Sequence, residues 1–323
     1  MKDKKKKWLI SIIASVLVLI GSSFVSLIIG PAGMIILPSG NSEETIFFDI
    51  RLPRVVLGFG AGGSLSLSGL LLQGIFKNPL MEPYTLGISG GAAFFVALGI
   101  MLGLEEMIGI TSLPFFGFLG SLFVLFVIYI IASKRFFNKE EVLLSGVMIS
   151  FISASLIMLF FALAKSEEIH RIIFWMMGTL QEERKELVFL LPIVALSFLF
   201  LSYLFSVDLN ALQLGEEEAS RLGVNVLRTK RTILLISSVL TGMTVSITGI
   251  IGFVGLVVPH IMRKLFGPDY RLLFFSSFFF GGAFLNLCDV LSRTIIKPSE
   301  LPVGVITGIV GGSLFLYLIV RKK

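Results

Sequence analysis

Charge is what this 323-residue chain has least of. Charged side chains make up 15% of it, against roughly a quarter in soluble domains. Hydrophobic residues make up 55%, and the mean hydropathy is +0.95. Every polar stretch is short, which excludes a large soluble domain held on a single anchor. The one cysteine, Cys288, rules out an intrachain disulfide framework and a cysteine-built metal site. The two histidines, His170 and His260, are too far apart in sequence to suggest a metal cluster, and they leave a membrane-embedded enzyme short of nucleophile–base pairs. No Gly-Lys pair occurs, so the phosphate-cradling G-x-x-x-x-G-K-[ST] loop is missing and any ATP must be bound by another subunit. No catalytic residue, metal ligand or cofactor site is assigned.

What is present is long apolar runs. At roughly 20 residues per crossing, the chain has room for about ten transmembrane helices. The runs lie at 8–29, 54–75, 86–104, 114–133, 142–164, 187–207, 231–251, 253–266, 271–291 and 302–320. The first follows a basic head, Lys2 and Lys4–Lys7, but is too long for a signal-peptide core and lacks a convincing cleavage site. The eighth is short and carries Pro259. Basic residues at both ends, with Arg321–Lys323 closing the chain, place both termini in the cytoplasm and require an even number of spans. Ten spans put most of the 27 basic residues inside. The net charge of +6 then reflects membrane orientation, with no nucleic-acid partner.

A repeat underlies the spans. Leu65-Ser66-Leu67-Ser68-Gly69-Leu70-Leu71 recurs as Val245-Ser246-Ile247-Thr248-Gly249-Ile250-Ile251 at an offset of 180, which also aligns Gly62 with Gly242 and Pro79 with Pro259. The two copies run in opposite directions across ten spans, so this is an inverted-topology repeat, a device common in transporters. The fold class is therefore an all-α polytopic membrane protein of about ten transmembrane helices. It forms a single transmembrane domain over 1–323, with a first repeat at about 54–164, a second at about 231–320, and a cytoplasmic loop at about 208–230.

Gly58-Phe59-Gly60-Ala61-Gly62-Gly63 matches G-x-G-x-x-G by letters, yet it lies inside a membrane helix with no preceding strand. Gly58 and Gly62, like Gly304, Gly308 and Gly312 at spacings of four, are expected at close helix contacts. His260 beside Pro259 reads as a hydrogen-bonded histidine at a helix break. Asp289 is an acid within a span and so a functional candidate, with pairing to Arg293 an equally good account. The stretch from Asp208 to Val226 predicts two short helices separated by glycine, with Leu212, Ala219 and Leu222 on apolar faces. A solvated linker has no use for such alternation, but a docking surface does.

The motifs then resemble one family. Arg51-Leu52-Pro53-Arg54, the run Gly74 to Pro83 with Leu86-Gly87-Ile88-Ser89-Gly90-Gly91, the Leu214-Gly215 to Leu222-Gly223-Val224 loop, Gly249 to His260 with Arg263, and Glu300 to Val305 are similar to FecCD-type permeases. These are the membrane subunits of ABC importers for iron-siderophore complexes, haem and cobalamin. The segments follow in order from about residue 50 to the end.

The resemblance implies a homodimer, or a pair with a similar permease, and a path at the dimer axis. It also implies two cytoplasmic ABC ATPase subunits, an extracytoplasmic substrate-binding protein, and a place in the cytoplasmic membrane. Carried over by position, Leu212, Leu214, Gly215, Glu216, Ala219, Leu222 and Gly223 would couple to the ATPases. Asn78, Pro79 and Leu80 would belong to the inner gate and pathway. Arg51, Arg54 and Arg293 would face outward and meet glutamates of the binding protein. The loop Phe136-Phe137-Asn138-Lys139-Glu140 departs from the family, lacking the small hydroxyl residues associated with its inner gate.

The expected function is transport of a metal chelate, with a ferric siderophore first and cobalamin or haem next. The alternative is a secondary transporter driven by an ion gradient. That class needs intramembrane acids or unwound segments for the coupling ion, and Asp289 is the one acid placed within a span.

Overall fold

A computed structural model describes residues 2–31, 33–36, 40–104, 112–134, 138–182 and 184–320. The closing basic residues Arg321–Lys323 and the loop residues Arg135, Phe136 and Phe137 lie outside the described residues. Helix α1 (Lys2–Ile28) leads into a small antiparallel hairpin, β1 (Ile29–Gly30) with β2 (Gly33–Met34). Helix α2 (Asn41–Thr45) runs on through a π-helical turn (Ile46–Arg51) into α3 (Leu52–Phe76). Helices α4 (Ile88–Met101), α5 (Ser112–Lys134) and α6 (Lys139–Leu163) follow, then the amphipathic α7 (Ser166–Met176) and α8 (Lys185–Tyr203). Two short helices, α9 (Ser206–Leu214) and α10 (Glu216–Arg221), precede α11 (Val226–Thr248), α12 (Val254–Phe266), α13 (Tyr270–Thr294) and α14 (Val303–Val320).

Seven helical stretches among the described residues are long and apolar enough to cross a membrane, and α4 and α14 contribute shorter apolar ones. With α12 these give the ten expected spans. At 13 residues, α12 rises only about 20 Å, well short of a hydrocarbon core of about 30 Å. The eighth span is accordingly interrupted, and residues 249–253 before it are not helical. Helix α11 starts earlier than its hydropathy suggests because Asn225 caps it, its side chain accepting from the backbone N–H of Arg228 at 3.1 Å. Helix α7 escapes the hydropathy pattern because its first turn is acidic. It nonetheless buries Ile172 and sets Trp175 into an apolar cluster with Phe94, Phe116 and Ile157.

The chain divides into two compact units. One comprises 1–70, 179–207 and 251–323, and in it α13 packs against α1, α8, α12 and α14. Here Gly62 of α3 lies so close to Gly281 of α13 that an added Cβ would overlap the Gly281 carbonyl. One turn later the Ser66 hydroxyl donates to the Ser277 carbonyl at 2.8 Å. Gly58 meets Asn286 in the same way, so both glycines stand at helix contacts. The stripe on α14 does not. Nothing lies within 4 Å of a Cβ built at Gly308, Gly312 has only ordinary contact with Phe253, and Gly304 is half-buried. The tight approach is made by Gly311, where an added Cβ would lie 2.6 Å from that of Phe253.

The other unit comprises 71–178 and 208–250. In it α4 packs against α5, α6 and α7, and α11 lies along α5. Gly91 and Gly120 bring the α4 and α5 backbones together. The chain passes between units after Leu70, Gly178, Val207 and Ile250, and the first and last of these four points are aligned positions of the sequence repeat.

Candidate functional site

The expectation that Arg51, Arg54 and Arg293 stand out on the surface fails. They are 2%, 6% and 1% exposed. A guanidinium carries five donors, and the hydrogen bonds these three make go to groups of their own chain. Arg51 donates Nη1 to the Leu27 carbonyl at 2.9 Å and to that of Ile28, and Nη2 to the Gly33 carbonyl at 2.9 Å. It thereby closes the C-terminal end of α1 and holds the β-hairpin, satisfying carbonyls a helix end leaves without partners. Arg54 grips the Glu300 carboxylate with both Nη atoms, at 3.1 and 2.5 Å, a two-point contact that fits its fork. The Gln181 amide donates to the same carboxylate at 2.6 Å. Burial alone would raise the Glu300 carboxyl, but the hydrogen bond and charge of Arg54, with Arg293 and Gln181 behind it, hold it below its ordinary value.

Arg293 pairs with Asp289 at 2.9 Å, and its Nη2 reaches the Ser26 carbonyl at 3.1 Å and the Ser26 hydroxyl at 2.7 Å. Asp289 is therefore engaged, and the pairing account of this acid is the one the geometry supports. These arginines tie α1, the start of α3, α13 and the 295–302 connection into one unit. The positive-inside pattern assigns a side of the membrane; it carries no information on depth within the protein.

Between α8 and α11 the two short helices appear as expected, separated by Gly215 at φ +141°, a conformation that favours glycine. Helix α10 stops at Gly223, whose φ is +88°. The N–H of Val224 bonds the Ala219 carbonyl and that of Gly223 bonds the Ser220 carbonyl, the pairing of a Schellman termination. The apolar residues divide by depth. Leu212 and Ala219 are buried against their own chain, whereas Leu214 and Leu222 are 69% and 65% exposed. Leu212 and Ala219 are thus corrected from contact residues to supports, and Leu222 does not join them on an inner face. Three consecutive carboxylates, Glu216–Glu218, open α10, a favourable place for anions.

Glu216 is the best-connected of them. Its Oε1 pairs with Lys139 at 3.0 Å and its Oε2 with Lys230 at 2.6 Å. Burial would raise its carboxyl, yet the two ammonium groups hold it below the ordinary value.

Asn78, Pro79 and Leu80 form the turn after α3. The Asn78 side chain accepts from the Leu80 N–H at 3.0 Å, an Asx-type turn, and Lys77 before it takes φ +53°. Leu80 and Pro79 are exposed. This turn belongs to the same unit as α10, with Lys77 in Coulombic reach of Lys230.

Comparison with known proteins decides what these ends belong to. The model of the FecCD transport family matches residues 9–321. The chain belongs to that family. A hemin transport system permease of Yersinia pestis is 37% identical over 280 residues, 86% of this chain and 84% of the relative. A cobalamin import system permease of Halobacterium salinarum is 40% identical over 282 residues, covering 86% and 74%. An ABC transporter of inferred metal-chelate type, solved in an inward-facing conformation, superposes with a TM-score of 0.88 at 28% identity, over 96% of this chain and 98% of that one. This chain is thus an FecCD-family membrane permease of the ABC transporter class.

Sequence reasoning missed several functional neighbours. Glu300 stood in a quoted motif, but nothing marked it as the partner of Arg54, 246 residues away. Lys139 and Lys230 looked like ordinary inside-facing charges. Only the fold brings them to one carboxylate.

Proposed function

We propose that this chain is the membrane-spanning permease subunit of an ATP-driven importer of a metal chelate. A ferric siderophore is the first choice, followed by cobalamin and haem. The subunit pairs with a second copy or a similar permease, receives substrate from an extracytoplasmic binding protein, and is driven by two ATPases. Both termini face the cytoplasm. The observation that carries the reading is the α9–α10 pair, two short helices whose Leu214 and Leu222 are left uncovered by their own chain. Large exposed leucines flanking charged side chains suit a protein partner. The relatives named for hemin and cobalamin support a bulky metal chelate as cargo. The inverted repeat is supported by the matched points at which the chain changes unit. Against gradient coupling, Asp289 is engaged by Arg293.

The test is reconstitution in proteoliposomes with the ATPase that copurifies with the chain and with its binding protein. Uptake of radio-iron ferrichrome, hemin or cyanocobalamin should require ATP and survive ionophores. Uptake by the chain alone, driven by an ion gradient and indifferent to ATP, would replace this reading with the secondary-transporter one.

A further inference from the structure

The Glu216 carboxylate is shared by two cations that belong to two different membrane helices. Lys139 is the first residue of α6, whose start is set by Asn138, the side chain of which accepts from the Glu140 N–H at 3.1 Å. Lys230 lies in the first turns of α11 with its side chain 4% exposed. A buried ammonium is costly without a paired anion, and the 2.6 Å contact supplies one. Neighbouring bonds brace the same place. Thr229 donates to the Asp208 carboxylate of α9 at 2.8 Å, and Arg231 donates to the Ser133 carbonyl at the end of α5 at 2.9 Å. Each of these residues lies within one compact unit.

We propose that Glu216 is a positioning residue that carries motion of α10 into α6 and α11 together. This deepens the proposed function and rests on it, since the displacement of α10 is taken to come from an ATPase. The ion pairs give this coupling a side-chain route beside the backbone connection. Gly215 and Gly223, both at positive φ, bound α10 on either side, so its backbone connections are bends. Lys139 and Lys230 approach different oxygens of one carboxylate, so a shift of α10 pulls both helices at once. A role confined to stability would need only that Lys230 not be left alone. Lys230 is the buried member of the pair and Glu216 the exposed one, so neutralising both removes the stranded charge without restoring the link, and this separates the two roles.

The experiment uses the full chain in complex with its copurifying ATPase. Spin labels are placed in pairs, on Leu144 of α6 or Arg228 of α11 with the exposed Leu316 of α14 as reference in each pair, and both distances are measured without nucleotide and with trapped ATP. The variants are Glu216→Gln, Lys139→Gln and the double Glu216→Gln/Lys230→Met, with thermal unfolding measured on each. In wild type both distance distributions should shift on trapping ATP. Glu216→Gln should lose the shift and melt earlier. Lys139→Gln, which leaves the Lys230 contact in place, should reduce the shift with little change in melting. The double variant should melt as wild type does yet still lack the shift, and should import at least tenfold less radio-iron ferrichrome, or whichever probe wild type takes up, per ATP hydrolysed. A double variant with wild-type shift and wild-type coupling overturns the inference and leaves Glu216 a structural counter-ion. A wild-type complex that shows neither a nucleotide-dependent shift nor ATP-dependent uptake instead overturns the importer reading.

Discussion

Arg293 offers the clearest test of whether the buried arginines hold the chain together or meet a partner. Arg293→Met keeps most of the side-chain length and removes the charge. It leaves the Asp289 carboxylate, 1% exposed, without its ion-pair partner, and removes two hydrogen bonds to Ser26. Breaking one side of a buried pair costs about 3–5 kcal/mol. Adding Asp289→Leu removes the stranded acid, so the pair no longer enters the balance. What remains is the loss of the Ser26 bonds, and an unsatisfied buried carbonyl is worth about 1–3 kcal/mol. The double variant should thus be the more stable of the two by about 2 kcal/mol, a non-additivity expected only of residues in contact. Unfolding of the purified chain in detergent, with no binding protein present, measures both. Suppose Arg293→Met unfolds like wild type while its complex loses affinity for the binding protein. The arginine would then serve docking and would not hold α13 to α1.

Further outcomes follow from the same geometry. Leu222→Asp and Leu214→Asp should cut copurification of the ATPase at least tenfold without changing the melting of the chain. Leu212→Ala should instead destabilise the chain itself by about 2–5 kcal/mol; equal melting of the Leu212 and Leu222 variants would contradict the depth division. Gly62→Leu should abolish folded expression because the Gly281 backbone occupies the space, whereas Gly308→Leu should express normally. The Glu300 carboxyl lies below its ordinary value of 4.5 in the folded chain. Its stabilising pairing with Arg54 is therefore fully present above that value and lost as pH falls through the lower native one. Stability measured down to 4.5 should hold in this respect, and Glu300→Gln should flatten the acid-side loss; an unchanged acid limb in that variant would remove Glu300 from the account.

The spans were legible because the bilayer imposes a length and a polarity on every crossing segment. Hydropathy placed α3, α5, α6, α13 and α14 closely, and the short eighth run with Pro259 marked the interrupted α12. The two-helix loop could be read from the glycines at 215 and 223 and the leucines around them, because local backbone conformation depends on local residues. The family motifs carried the transport class for the same reason, since they are contiguous strings. Depth could not be read this way. Leu212 and Leu222 are the same residue in the same loop, and only packing decides that one is a support and the other a contact. Arg54 finds Glu300 across 246 residues, and Lys139 finds Glu216 only once α6 and α10 stand side by side. A charge in a sequence fixes that a partner or water must exist, because burying it alone is too costly. The partner's identity depends on distances between helices, and those distances are set by packing contacts such as Gly62 on Gly281, so they exist only in the assembled tertiary structure.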